Sequence, residues 1–132
     1  MGKFREDEAF VHGEEIAKAI SENVFRQNRP KAEMRNKMND FVIVSIDGRL
    51  DDSIIGNDST GIVDTSMVFS LFARDKSYGM DIAKLSSMLE SMEGMLPYSK
   101  DGIMIYDAKL LITGQDDLGF SAYFVETKLR IN

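Results

Sequence analysis

Few residues in this chain have side chains that could do chemistry, and their types narrow what that chemistry would be. There is no cysteine, which excludes disulfides, thiolate metal sites and a cysteine nucleophile. His12 is the only histidine, so a multi-histidine metal site within one chain is excluded. It stands in a charged N-terminal segment and is expected at the surface, with no carboxylate singled out to orient it beside a serine. Acidic side chains are more plentiful. Asp51, Asp52, Asn57, Asp58 and Asp64 offer the oxygen ligands that a hard cation such as calcium takes. Their spacing lacks the alternation and closing glutamate of an EF-hand, and they read as the solvated tip of a hairpin. Asp116 and Asp117, between Gly114 and Gly119, read as a turn pair. Phosphate-cradling GxxxxGK, dinucleotide-binding GxGxxG and nucleophile-elbow GxSxG patterns do not occur. The expectation is therefore a protein with no catalytic, cofactor-binding or metal-ligating residues.

Charge is more informative. The 132 residues carry 16 basic and 22 acidic side chains, a net charge of -6, which argues against a whole surface that grips nucleic acid. One segment departs from this balance: Arg26, Arg29, Lys31, Arg35 and Lys37 face a single acid, Glu33, within residues 26–37. Three readings stay open for it: a solvated linker, a contact with the acidic body of a neighbouring subunit, or a contact with DNA. The third is the weakest, because no stacking aromatics are interleaved with the charges. Met80, Met88, Met92 and Met95 crowd one stretch. They suggest either an adaptable groove or core packing beside an Ile/Leu seam, and core packing is the simpler reading.

The elements that position these residues follow from hydrophobic period. Ile16, Ile20 and Val24, widened by Ala17 and Phe25, predict a helix over 14–27, entered at Gly13 and ended by Pro30, with residues 1–12 frayed. FVIVSI at 41–46 predicts a strand apolar on both faces. Residues 47–61, rich in Asp, Asn, Ser and Gly, predict a loop leading to a long strand over 62–74. Ile82, Leu85, Leu89, Met92 and Leu96 predict a helix over 77–96, capped by Ser77 or Asp81 and stopped by Pro97. A strand over 102–113 is interrupted at Asp107–Lys109, and a last strand over 120–131 alternates Tyr123, Val125, Thr127, Leu129 and Ile131 against charges. The chain is thus read as one α+β domain over residues 1–132, in the order α-β-β-α-β-β. Its expected architecture is two-layered, a mainly antiparallel four-stranded sheet with two helices on one face. The other face would hold spare apolar surface, for which the usual cover is another copy or a partner. No apolar run is long enough to span a bilayer, and residues 1–8 lack a secretory signal's apolar middle; a cytoplasmic protein without membrane contact is expected.

This order, with FVIVSI, MVFSLFARD, DIAKLSSMLESMEGML and a closing AYFVETKLRI, resembles the tail-terminator or tail-completion proteins of tailed bacteriophages. Asp116, Gly119 and Phe120 take the D-x-x-G-[FY] positions that open the family's final strand, while Asp40 stands where that family carries proline before the first. The resemblance spans about residues 14–131. It implies a structural protein without catalysis, assembled as a homo-oligomeric ring, commonly a hexamer, against other tail or connector proteins. It further implies a bacterial cytoplasm during assembly, and the virion for a phage-derived chain. Subunit contacts would then come from Arg26, Arg29, Lys31, Arg35 and Lys37, the segment also nearest any DNA channel, and from Asp51, Asp52, Ile54, Ile55 and Asp58 of the loop. The alternative is a small soluble binding module whose open sheet face or Met-rich helix receives an apolar ligand or protein partner. A third class, an enzyme using Asp51, Asp52 or Asp58, would need those carboxylates to converge on one cleft.

Overall fold

The computed structural model describes residues 6–28, 30–47, 63–115 and 119–132. Among these residues the chain forms three helices and six strands. They are α1 (Glu6–Lys18), β1 (Val24–Arg26), α2 (Ala32–Arg35), β2 (Asp40–Asp47), β3 (Val63–Arg74), α3 (Ile82–Glu93), β4 (Tyr98–Lys100), β5 (Ile103–Gln115) and β6 (Phe120–Ile131). The strands form a single curled sheet in the order β1-β2-β3-β6-β5-β4. All neighbours are antiparallel except β1 and β2, which run parallel. The expected four-stranded antiparallel sheet with two helices is therefore corrected to a six-stranded mixed sheet with three helices.

Both added strands are short and have local causes. The first helix lies eight residues earlier than its expected start, with Ala9, Phe10, Ile16 and Ala17 buried on one stripe. It ends because Ser21 turns away to hydrogen-bond the Asp40 side chain, while the Asn23 side-chain amide donates to the Asp40 carbonyl at 3.0 Å. The freed residues Val24–Arg26 then extend along β2. A parallel neighbour cannot be reached by a tight turn, so the chain crosses back between β1 and β2 through the span that carries α2 and most of the basic segment 26–37. On the far side of the sheet, Asp101 (φ 53°) and Gly102 (φ 80°) form a two-residue turn that folds β4 onto the start of β5, with Lys100 opposite Ile103. Pro97 has no N–H to extend that pairing. In α3 the Asp81 carboxylate caps the helix by accepting from the Lys84 N–H at 3.1 Å.

Two apolar clusters use the two faces of the sheet. Alternate residues of β2 divide between them. Val42 and Val44 join Phe10, Ile16, Met67, Phe69, Leu85, Met92, Ile105, Val125 and Leu129 beneath α1 and α3. Phe41 and Ile43 point the other way and join Met38, Phe72, Phe120 and Ala122. The cover expected from a partner over this second face is thus partly supplied by the chain itself. Met38 closes over it from the crossover, and the Arg74 guanidinium lies 4.8 Å from the centre of the Phe120 ring.

Gly13 sits in the middle of α1, not at its start. A Cβ there would stand 2.7 Å from Met67 Sδ and 2.9 Å from Val44 Cγ1, so the helix approaches the sheet closely where it crosses β2 and β3. Met67 can swing aside, but the branched Val44 cannot. Gly13→Val should lower stability by about 2 kcal/mol through overpacking, measured by chemical denaturation; an unchanged midpoint would contradict the close approach.

Candidate functional site

Of the proposed contact residues, the described ones are spread along the crossover. Arg26 is occupied within the chain, donating to Asp7 at 2.7 Å and Glu14 at 2.9 Å while lying over the Phe10 ring. These carboxylates, Glu14 first, push its pKa further up, so the guanidinium is a fixed internal charge. Arg35 ends α2, half-buried, and its carbonyl accepts from Arg74 at 2.8 Å. Lys31 and Lys37 are exposed. Arg29, Asp51, Asp52, Ile54, Ile55, Asn57, Asp58, Asp116 and Asp117 lie outside the described residues. Asp64, offered above as a cation ligand, pairs with Arg130 at 2.9 Å across β3 and β6. Among the described residues no group of three acidic or histidine side chains could hold a metal ion.

His12 is not at the surface, as its charged surroundings suggested, but buried. Its Nδ1 lies 2.6 Å from the Tyr98 hydroxyl, which itself donates to Glu15 Oε2 at 2.6 Å. The phenol has one proton and spends it on Glu15, so Nδ1 of His12 must carry the hydrogen of the first contact. Nε2 faces Asp101 Oδ2 at 3.6 Å. This chain of contacts fastens β4 to α1. Burial and the Glu15 contact push the Tyr98 pKa well up, keeping the phenol neutral. Accepting that hydroxyl, and to a lesser degree facing Lys100, holds the Glu15 carboxyl below its ordinary 4.5. Tyr98→Phe should return the Glu15 titration toward 4.5, readable by NMR. A depressed carboxyl stabilises the fold above its unfolded value, and that contribution is lost as pH falls through the folded one. The stability gap between wild type and Tyr98→Phe should therefore narrow as the pH drops below 4.5.

Of the methionines, Met88 and Met92 are buried in the core and Met80 and Met95 pack against it, which places them as packing residues. Surface depressions occur between Ile20–Asn23 and Lys37–Asp40, around Arg74, Asp75 and Lys84, and between Asp107–Lys109 and Glu126–Lys128. Their linings are mostly polar and charged, unlike an apolar ligand pocket.

The remaining feature is the outer edge of β5. β4 covers only Ile103–Ile105 of it. Asp107, at φ 57°, then bends the strand, and its register against β6 shifts between Tyr106 and Lys109 and again between Leu110 and Ile112. Beyond Ile105 no described strand pairs with this edge. Leu110 lies opposite Val125 of the larger cluster and Ile112 opposite Phe124 of the smaller one, so apolar groups project on both faces. Leu110, Leu111 and Ile112 remain 42%, 49% and 62% exposed. Bulges and Lys109 are devices that discourage edge pairing, but three consecutive exposed aliphatic residues beside a backbone that no described strand pairs favour it. The sequence signal was LLI next to the Asp107–Lys109 interruption, visible only as a strand until its position at the edge was known.

No protein-family model matches this sequence, and no curated protein matches it at a significant level.

Proposed function

We propose that this protein is a non-enzymatic assembly subunit that works by associating with copies of itself, as tail-terminator and tail-completion proteins of tailed phages do. The observation that carries the reading is the β5 edge, which no described strand pairs beyond Ile105, with Leu110, Leu111 and Ile112 exposed. The phage assignment is supported by the residue resemblance alone. A strand edge of this kind gives main-chain hydrogen bonds and apolar burial at once, the combination used in β-strand addition.

Light scattering across protein concentration tests it. The wild type should exceed the 14.9 kDa of one chain, and a hexamer would weigh about 90 kDa. Each copy carries a net charge of -6, so an apolar contact should tighten as salt screens the repulsion. Dissociation by salt would instead favour a seam through the basic segment 26–37. Leu111→Lys should stay monomeric where the wild type associates; a wild type that is monomeric throughout, or an unaffected variant, would refute the reading.

A further inference from the structure

The stretch of the β5 edge that β4 covers is lightly held. β4 has three residues, none of them buried, and Pro97 before it has no N–H for the ladder. From the side, α1 fastens it. The Tyr98 hydroxyl donates to Glu15 Oε2 and accepts from His12 Nδ1, Lys100 Nζ lies 3.6 Å from Glu15 Oε1, and Asp101 Oδ2 lies 3.6 Å from His12 Nε2. Both carboxylate oxygens of Glu15 thus face β4. α1 is anchored independently, by its buried Ala9, Phe10, Ile16 and Ala17 and by Arg26 on Asp7 and Glu14. When the contacts between the two elements fail, β4 is the part that moves.

We propose, resting on the self-association reading above, that β4 is an acid-released latch: a proton on Glu15 frees β4 from α1, and the β5 edge offered to other copies then reaches back from Ile105 to Ile103. Glu15 faces Tyr98 and Lys100 from β4 and His12 from its own helix. Only the ionised carboxylate pairs with Lys100, and it accepts the phenol's hydrogen bond more strongly than the neutral acid does. That donation, with Lys100 and His12 adding less, holds the carboxyl below its ordinary 4.5. The latch is therefore shut above 4.5 and loosens as pH falls through the lower folded value. His12 first acts in the opposite sense, since a proton on Nε2 supplies a donor toward Asp101. Once Asp101 is protonated too, the buried imidazolium has lost its counter-charge, which favours release. A longer edge gives a partner strand more main-chain hydrogen bonds, whatever the symmetry of the assembly.

Hydrogen exchange on dilute protein, corrected for the intrinsic pH dependence of exchange, tests the latch between about pH 7 and pH 3. Residues 98–105 should lose about tenfold in protection at a higher pH than residues 121–131 of β6. Tyr98→Phe should show the same loss at neutral pH with β6 unaffected. Glu15→Gln keeps an oxygen for the phenol but takes up no proton, so its β4 should respond less to acid than that of the wild type. Light scattering at neutral pH, where Tyr98→Phe and wild type carry the same net charge, reads the link to assembly. The variant should associate at a lower concentration, by up to about tenfold, the gain in its open fraction. Protection of β4 that changes neither with pH nor in Tyr98→Phe overturns the latch and leaves self-association standing. Opening of β4 with no shift in association overturns its role in assembly, and a strict monomer at every concentration overturns the self-association reading as well.

Discussion

Phe41→Ala should cost about 3–5 kcal/mol, the range for a fully buried aromatic side chain cut back to a methyl group. Phe41 has no exposed surface. Its ring stacks on Phe72 with centroids 4.4 Å apart and planes 10° from parallel, and meets Phe120 obliquely at 5.2 Å and Phe25 edge-on at 6.1 Å. It therefore joins aromatic groups from four strands on the second face. Truncation removes the centre of this cluster and leaves a void that the rings, held by the sheet, can fill only in part. Domains of this size have total stabilities of about 5–15 kcal/mol, so the loss is a large fraction of the whole. The denaturation midpoint should fall with the slope unchanged. A loss below about 1 kcal/mol would mean that the second face is not a true core.

The second large effect is expected at Arg74. Its guanidinium donates to the carbonyls of Arg35, at 2.8 Å, and Met38, at 2.5 Å and 3.2 Å, while stacking over Phe120. Both acceptors lie at the end of α2 and in the turn after it, where the Arg35 carbonyl also takes the Met38 N–H at 3.1 Å and a helix end favours a positive charge. The Arg74 N–H also donates to Asn39 at 2.9 Å, and this backbone contact survives substitution. Arg74→Ala should cost about 2–4 kcal/mol, because charge-assisted hydrogen bonds are lost and the Met38 carbonyl loses its guanidinium donor, while the Arg35 carbonyl keeps the Met38 N–H at 3.1 Å. Arg74→Lys should recover only part, since an ammonium group cannot reproduce the planar fork or the stacking. Hydrogen exchange should show faster opening in residues 31–39 than beneath α1. Uniform acceleration across the domain would show that the crossover does not open separately.

How far these features were legible depends on whether their causes are local. The strand at FVIVSI and the alternation of β6 are periodic over many residues, and their positions hold to within one residue. The α3 seam of Leu85, Leu89 and Met92 marked a helix, but the helix runs over Ile82–Glu93 and not 77–96, because the chain turns at Lys76–Gly79 before Asp81 caps it. The interruption at Asp107 was legible as well, because a polar break divides two apolar runs. α1 was misplaced because Ile16, Ile20 and Val24 continue a helical period into residues that the Asp40 contacts pull into a strand. Gly13 looked like a helix start until Val44 and Met67 showed why no side chain fits there. β4 could have been found, since Asp101-Gly102 is a strong hairpin signal. The burial of His12 could not: its partner Tyr98 lies 86 residues away. The β5 edge needed the strand order, which no local pattern supplies.

The β3–β6 register has a kinetic consequence. It joins Val63 to Ile131 and Arg74 to Phe120 at the middle of the sheet, with α3, β4 and β5 lying between them in the chain. The most central pair is thus the one whose partners are farthest apart, and the entropy of closing that span precedes the gain from pairing. Folding should be slow for a domain of this length, in the millisecond-to-second range typical of non-local topologies. During synthesis β3 leaves the ribosome well before β6 exists. Until then, Met67, Phe69 and Leu71 have no lasting cover on that side, which makes the nascent chain a natural client for a chaperone that holds apolar strands.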